Sequence, residues 1–151
     1  MLRRISAEET KELLAKNMPP ALGVLAASNV PVISKPVELL VNVARYSTEM
    51  SLDSEFAAQK IKDFFSTTEF LVERITDKSR RSIDVRPLVI DLKYAGGKTG
   101  ILLRFGPNRT VKPDMAIQKI FGLTDEQKTA LKINRDEFYF ETEKKELIGP
   151  I

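Results

Sequence analysis

The chain contains no cysteine and no histidine, and these two absences exclude more than the remaining residues assert. Without cysteine there is no disulfide framework, no thiolate nucleophile, no iron–sulfur cluster and no cysteine zinc site. Without histidine there is no imidazole base, no imidazole metal ligand and no Ser-His-Asp triad. Only carboxylates, lysines, tyrosines, serines and threonines remain for chemistry. No apolar run approaches the ~18 residues that span a bilayer, and Met1-Leu2-Arg3-Arg4-Ile5-Ser6 lacks the apolar core of a signal peptide. A reducing, cytoplasmic setting is the expectation, with no membrane partner, no metal and no cofactor.

What is present reads as one soluble domain with an appended fragment: 151 residues, 42% hydrophobic and 30% charged. The formal net charge of +3 hides a polarised distribution. Between Arg74 and Lys112 stand ten Lys/Arg and three Asp/Glu, a surplus of +7, against fourteen and eighteen, or −4, elsewhere.

The punctuation of the chain predicts its elements. Ser6-Ala7-Glu8-Glu9 is a capping box that opens a helix ended by Asn17 and Pro19-Pro20. Ala21 to Ala27 reads as a short apolar strand, and Pro31 and Pro36 mark an extended boundary. A short helix follows from Ser34 to about Val43, then an edge-like strand over Tyr46–Ser51. Asp53 or Ser51 caps a helix reaching Phe65, with Ala57, Ile61, Phe64 and Phe65 on one face. Phe70–Thr76 is a strand, and Ser82–Tyr94 reads as one long strand bent where Pro87 changes its parity. Ala95-Gly96-Gly97-Lys98 closes a hairpin into Gly100–Phe105. Pro113 opens a helix that Gly122 ends, Thr124 opens a second, and Ile133–Phe140 is the last strand before a charged tail.

From residue 45 onward this order approximates the β-α-β-β-α-β split unit. The fold class read from it is α+β: a ferredoxin-like antiparallel sheet with two helices on one face, plus an N-terminal helix-strand appendage. The appendage covers 1–34, the main domain 35–142 and the tail 143–151. A strand at 21–27 cannot leave its edge bare, so it is expected to pair with the main sheet, a second copy of the chain or another protein.

The candidate binding surface is the basic stretch: Arg74, Lys78, Arg80, Arg81, Arg86, Lys93, Lys98, Arg104, Arg109 and Lys112. Antiparallel strands that align these cations on one face make a phosphate-binding stripe suited to RNA. The plainer reading is a solvated, lysine-guarded sheet surface. Phe70, Tyr94, Phe105, Phe138, Tyr139 and Phe140 lie on the predicted strands, but most such rings belong to cores.

Asp84, flanked by Arg81 and Arg86, is the weak candidate for a catalytic carboxylate. The plainer reading is an Arg-Asp-Arg ladder that fixes strand register. Gly96-Gly97-Lys98-Thr99 is not a Walker A loop, because Leu92 stands where that motif needs glycine and a strand follows.

The run Phe70-Leu71-Val72-Glu73-Arg74 to Arg81-Ser82-Ile83-Asp84-Val85-Arg86-Pro87-Leu88 resembles the uncharacterised radical-SAM-linked domain family. Met18-Pro19-Pro20-Ala21-Leu22, Ala44-Arg45-Tyr46, Thr110-Val111-Lys112-Pro113-Asp114 and Phe121-Gly122-Leu123 fit the same resemblance, which spans about residues 6 to 140. Members usually begin with a half bearing histidine motifs that are absent here, so the chain is expected to correspond to the second half of such a protein. The resemblance implies a radical SAM protein as partner; with no cysteine, this chain cannot itself ligate the cluster.

Together these readings predict a non-catalytic accessory domain that binds RNA or an acidic protein surface through a basic β-hairpin. Two alternatives stand beside it. One is a fragment of an RNA-modifying, pseudouridine-synthase-like enzyme using Asp84, by analogy of fold alone. The other is a pure assembly module, a homo-oligomer joined through the N-terminal strand.

Overall fold

A computed structural model describes residues 5–30, 41–76, 79–106 and 110–149, with the backbone alone at 74–76 and 79–81. The chain divides into two compact units, Met1–Pro36 and Val37–Ile151.

The first unit holds helix α1 (Ala7–Asn17). Its capping box forms as the sequence predicts: Ser6 N donates to the Glu9 carboxylate and Glu9 N donates to Ser6 Oγ, each at 3.1 Å. No residue of α1 is buried. The strand read at 21–27 is not formed; residues 22–30 carry neither helix nor strand, and Leu25 is 92% exposed. An apolar segment gains little from extended geometry unless a second strand takes up its N–H and C=O groups.

The second unit is built on a five-stranded antiparallel sheet of β1 (Val43–Glu49), β4 (Val89–Ala95), β5 (Lys98–Arg104), β6 (Asn134–Glu141) and β7 (Leu147–Ile148), in the order β4-β5-β1-β6-β7. The tail thus contributes β7, which pairs with the end of β6. A separate two-stranded sheet joins β2 (Leu71–Thr76) to β3 (Ser79–Asp84). Helices α2 (Ser54–Ser66), α3 (Pro113–Phe121) and α4 (Asp125–Ala130) complete the unit among the described residues. The helix read at Ser34–Val43 lies mostly outside the described residues, and Val43 itself begins β1.

Local chemistry explains most boundaries. The Asp53 carboxylate accepts from Phe56 N at 2.8 Å and caps α2. Pro113 stands in the first turn of α3, and Gly122 ends it at φ 69°, a left-handed conformation that disfavours a Cβ. Thr124 and Gln127 form a second capping box on α4. Gly96 and Gly97 both take positive φ, as a tight β4–β5 hairpin requires.

The core lies between one sheet face and helices α2 and α3. Ala57 and Phe64 of α2 meet Ala116, Ile117, Ile120 and Phe121 of α3, above Val89, Leu92, Ile101 and Leu103 of the sheet. Phe64, Phe121, Ile101 and Ile117 are at most 2% exposed, and each such side chain contributes about 1.5–3 kcal/mol by leaving water. Tyr94 latches the segment leading into α2 to the sheet: its hydroxyl accepts from Leu52 N at 2.9 Å and donates to Leu52 O at 2.7 Å.

The long bent strand expected over Ser82–Tyr94 is two strands in two sheets. β3 stops at Asp84, a turn follows, and β4 starts at Val89. Val85 O accepts from both Leu88 N at 3.0 Å and Val89 N at 3.1 Å, reversing the chain where Pro87 has no N–H to give a ladder.

Candidate nucleic-acid interface

The described cations of the basic stretch stand on several elements: the β2–β3 ribbon, the turn after it, β4, β5 and the start of α3. Arg74, Arg80 and Arg81 belong to the β2–β3 ribbon, where the backbone register sets Arg74 opposite Arg81 and Ile75 opposite Arg80. Three arginines therefore occupy two adjacent rungs at the turn end of the ribbon. The other end is anchored: Val72 pairs with Ile83, Val72 is 1% exposed, and both pack against the core. Lys78 and Arg109 lie outside the described residues.

Arg86 sits apart from the ribbon's end. Its guanidinium lies 4.9 Å from the Phe65 ring centroid and 5.6 Å from that of Phe64, and it donates to Phe65 O at 3.4 Å. That carbonyl is in the last turn of α2, the negative end of the helix dipole, where a cation is stabilised. Its Nε is buried with no partner among the described residues. This arginine holds the helix end.

Arg104 is engaged as fully. From β5 it reaches across β1 to Glu141 of β6, with Nε and Nη2 each 2.6 Å from a carboxylate oxygen, and its Nη1 donates to Pro87 O at 2.7 Å. The two-pronged bond to Arg104 holds the Glu141 carboxyl below its ordinary range, partial burial opposing it. The same bond raises the Arg104 guanidinium further. Beneath the pair, Asn42 ties the strands together: its side-chain oxygen accepts from Glu141 N at 2.7 Å.

Lys93 pairs with Asp91 at 2.9 Å, and Lys98 stands opposite Glu49 in the β1–β5 register. Lys112 is the exposed N-cap residue of α3 and makes no side-chain cap bond. All three are exposed.

Asp84 does backbone work. Its Oδ1 accepts from Phe70 N at 2.9 Å and from Arg86 N at 3.0 Å, while Val85 N donates to Phe70 O at 2.8 Å. The carboxylate closes the base of the ribbon and starts the turn that ends β3, as aspartate commonly does through an Asx turn. Among the described residues no three His, Cys, Asp or Glu side chains gather as a metal would need. No described helix is long and apolar enough to cross a membrane.

Sequence reasoning missed the polar face of the sheet turned away from the core. Arg45 stands opposite Glu137 and lies 3.6 Å from its carboxylate, with its guanidinium 5.4 Å from the Tyr139 ring centroid. The Tyr139 hydroxyl donates to Glu137, and that bond raises the phenol's pKa above its ordinary value. The run Arg135-Asp136-Glu137-Phe138-Tyr139 shows no alternation in the sequence, so neither its faces nor the strand it pairs with can be read there.

The fold and these placements define an α+β domain with a helix-covered antiparallel sheet and a separate basic ribbon. The chain belongs to a family described as uncharacterised proteins conserved in bacteria (DUF2344), whose model matches residues 1–132. No curated protein and no solved structure matches it.

Proposed function

We propose that this domain is a non-catalytic accessory module that binds the phosphate backbone of RNA through the β2–β3 ribbon. The observation that carries the reading is the ribbon's register, which brings Arg74, Arg80 and Arg81 onto two neighbouring rungs outside the main sheet. A rung with an arginine on each strand suits phosphate contacts, because the guanidinium fork donates in pairs and charge supplies most of the affinity. Arg86 and Arg104 are taken up by Phe64, Phe65 and Glu141, so the ribbon is favoured over a stripe running the length of the basic stretch. The engagement of Asp84 Oδ1 with two backbone amides speaks against an enzyme that uses Asp84 as nucleophile.

The same reading takes the main sheet as a ferredoxin-like unit. β1, β4, β5 and β6 run antiparallel in the order β4-β5-β1-β6, with α2 leaving β1 and α3 following β5. The ribbon is then an insertion between α2 and the second strand of that unit. By the family resemblance of the Ile83-Asp84-Val85-Arg86-Pro87 run, the module serves a radical SAM protein.

RNA binding measured across a salt series tests the proposal. Affinity should fall steeply with salt, and the slope should drop by about two when Arg80→Ala and Arg81→Ala are combined, one phosphate contact being lost for each. Absence of binding at low salt, or an unchanged slope in the double variant, refutes it. Preferential binding of an acidic protein in the same assay would replace RNA with that partner.

A further inference from the structure

A single extra residue in β6 re-aims one side chain. Arg45 pairs with Glu137, yet the next residue of β1, Tyr46, pairs with Arg135, so Asp136 has no rung of its own. Asp136 instead accepts from Ser47 Oγ at 2.9 Å. Without this bulge Arg135 would face Ser47 and point to the sheet's other side, because strand side chains alternate. With it, Arg135 shares the face of Tyr46. Bulges commonly re-aim side chains in this way beside functional sites.

On that face lies a cleft of about 610 Å³, within the range of small-molecule sites. Arg135 and Lys128 supply its cations, Asp114 its carboxylate, and Tyr46, Leu131 and Ile133 its ring and apolar wall. The Arg135 guanidinium is 5.0 Å from the Phe138 ring centroid and 5.8 Å from that of Tyr46. It has no ion pair or hydrogen bond among the described residues. Contact with aromatic faces fixes the planar group while leaving its in-plane N–H groups for an acceptor. Lys128 is only loosely held, 3.8 Å from Asp114. The cleft thus carries one uncompensated positive charge on a group already held in place.

We infer that this cleft binds a phosphate-bearing small molecule of mononucleotide size. The phosphate takes the free fork of Arg135 and shares Lys128 with Asp114, while the body rests against Leu131, Ile133 and Tyr46. This site is separate from the β2–β3 ribbon and does not depend on RNA binding there.

Amide-resolved NMR titration of the whole chain with adenosine monophosphate, adenosine and benzoate tests the inference. Adenosine monophosphate should shift Tyr46, Thr129, Leu131, Ile133 and Arg135 together and saturably. Adenosine and benzoate should each bind about ten-fold or more weakly, since one lacks the charge and the other the phosphate. Arg135→Gln should cost about ten-fold in affinity, and Arg135→Lys, which keeps charge and loses the fork, should fall between. Arg135 is exposed, so both variants should keep the wild-type spectrum elsewhere. Arg80→Ala with Arg81→Ala should leave the affinity unchanged. Equal affinity for adenosine, equal affinity for benzoate, or undiminished binding by Arg135→Gln would each overturn the inference, as would shifts confined to the ribbon.

Discussion

Replacing Glu141 by glutamine removes the charge from the best-made ion pair on the sheet and leaves Arg104 without its anion. The size of the loss follows from the geometry. Two bonds of 2.6 Å join the groups, and hydrogen bonds to charged partners are worth about 1.5–3 kcal/mol each before coupling is considered. Fully buried pairs cost about 3–5 kcal/mol when one partner is lost, and exposed pairs contribute about 0–1. Here the Arg104 side chain is 32% exposed and that of Glu141 13%, between the two limits. We expect Glu141→Gln to destabilise by about 2 kcal/mol, or about 6–10 °C in Tm for a domain of this size. Urea melts of Glu141→Gln, Arg104→Gln and the double variant should give a coupling energy near ~1.5 kcal/mol. Because Arg104 holds the folded carboxyl below its ordinary 4.5, the pair's contribution is complete above pH 4.5 and is lost as pH falls through the lower folded value. The gap between wild type and Glu141→Gln should therefore close in that acid window. A coupling below about 0.5 kcal/mol, or a gap independent of pH, would refute the assignment of this pair as a clamp across β1.

Two further outcomes test the local structure. Asp84→Ala should cost about 1–2 kcal/mol by orphaning Phe70 N and Arg86 N, whereas Asp84→Asn, which keeps an acceptor oxygen, should cost less than half of that; equal losses in thermal melts would show that the charge matters more than the acceptor. Gly122→Ala should destabilise by about 1 kcal/mol because φ is 69° there, although open space surrounds the new Cβ; an unchanged Tm would mean the α3 terminus relaxes freely.

Much of the fold was legible because its boundaries are written in local chemistry. Ser6 and Glu9, Asp53, Pro113, Gly122, Thr124 and the Gly96-Gly97 pair each act on backbone groups within a few residues. The failures are all non-local. Ala21–Ala27 has strand composition, but a strand also needs a second strand to take up its backbone groups, and composition alone does not supply one. Ser82–Tyr94 reads as continuous because Ile83 and Val85 are as apolar as Val89 and Leu92; the break depends on Asp84 reaching Phe70 N, fourteen residues back. At the site, charge density was visible and its distribution was not. Nothing in the sequence marks Arg86 and Arg104 as the residues that meet Phe64, Phe65 and Glu141. Arg135 escaped notice because a one-residue shift of register, invisible in any pattern, decides which face it joins.

The closed base of the β2–β3 ribbon has a consequence for how the molecule can vary. Phe70 and Val85 are joined directly by one backbone hydrogen bond, so fourteen residues leave the domain and return to the same spot. Beyond Val72 and Ile83 the loop is a branch and not a link: lengthening, shortening or recharging its far end leaves the span from α2 to β4 untouched. Changes at that far end are thereby uncoupled from the stability of the domain that carries the ribbon.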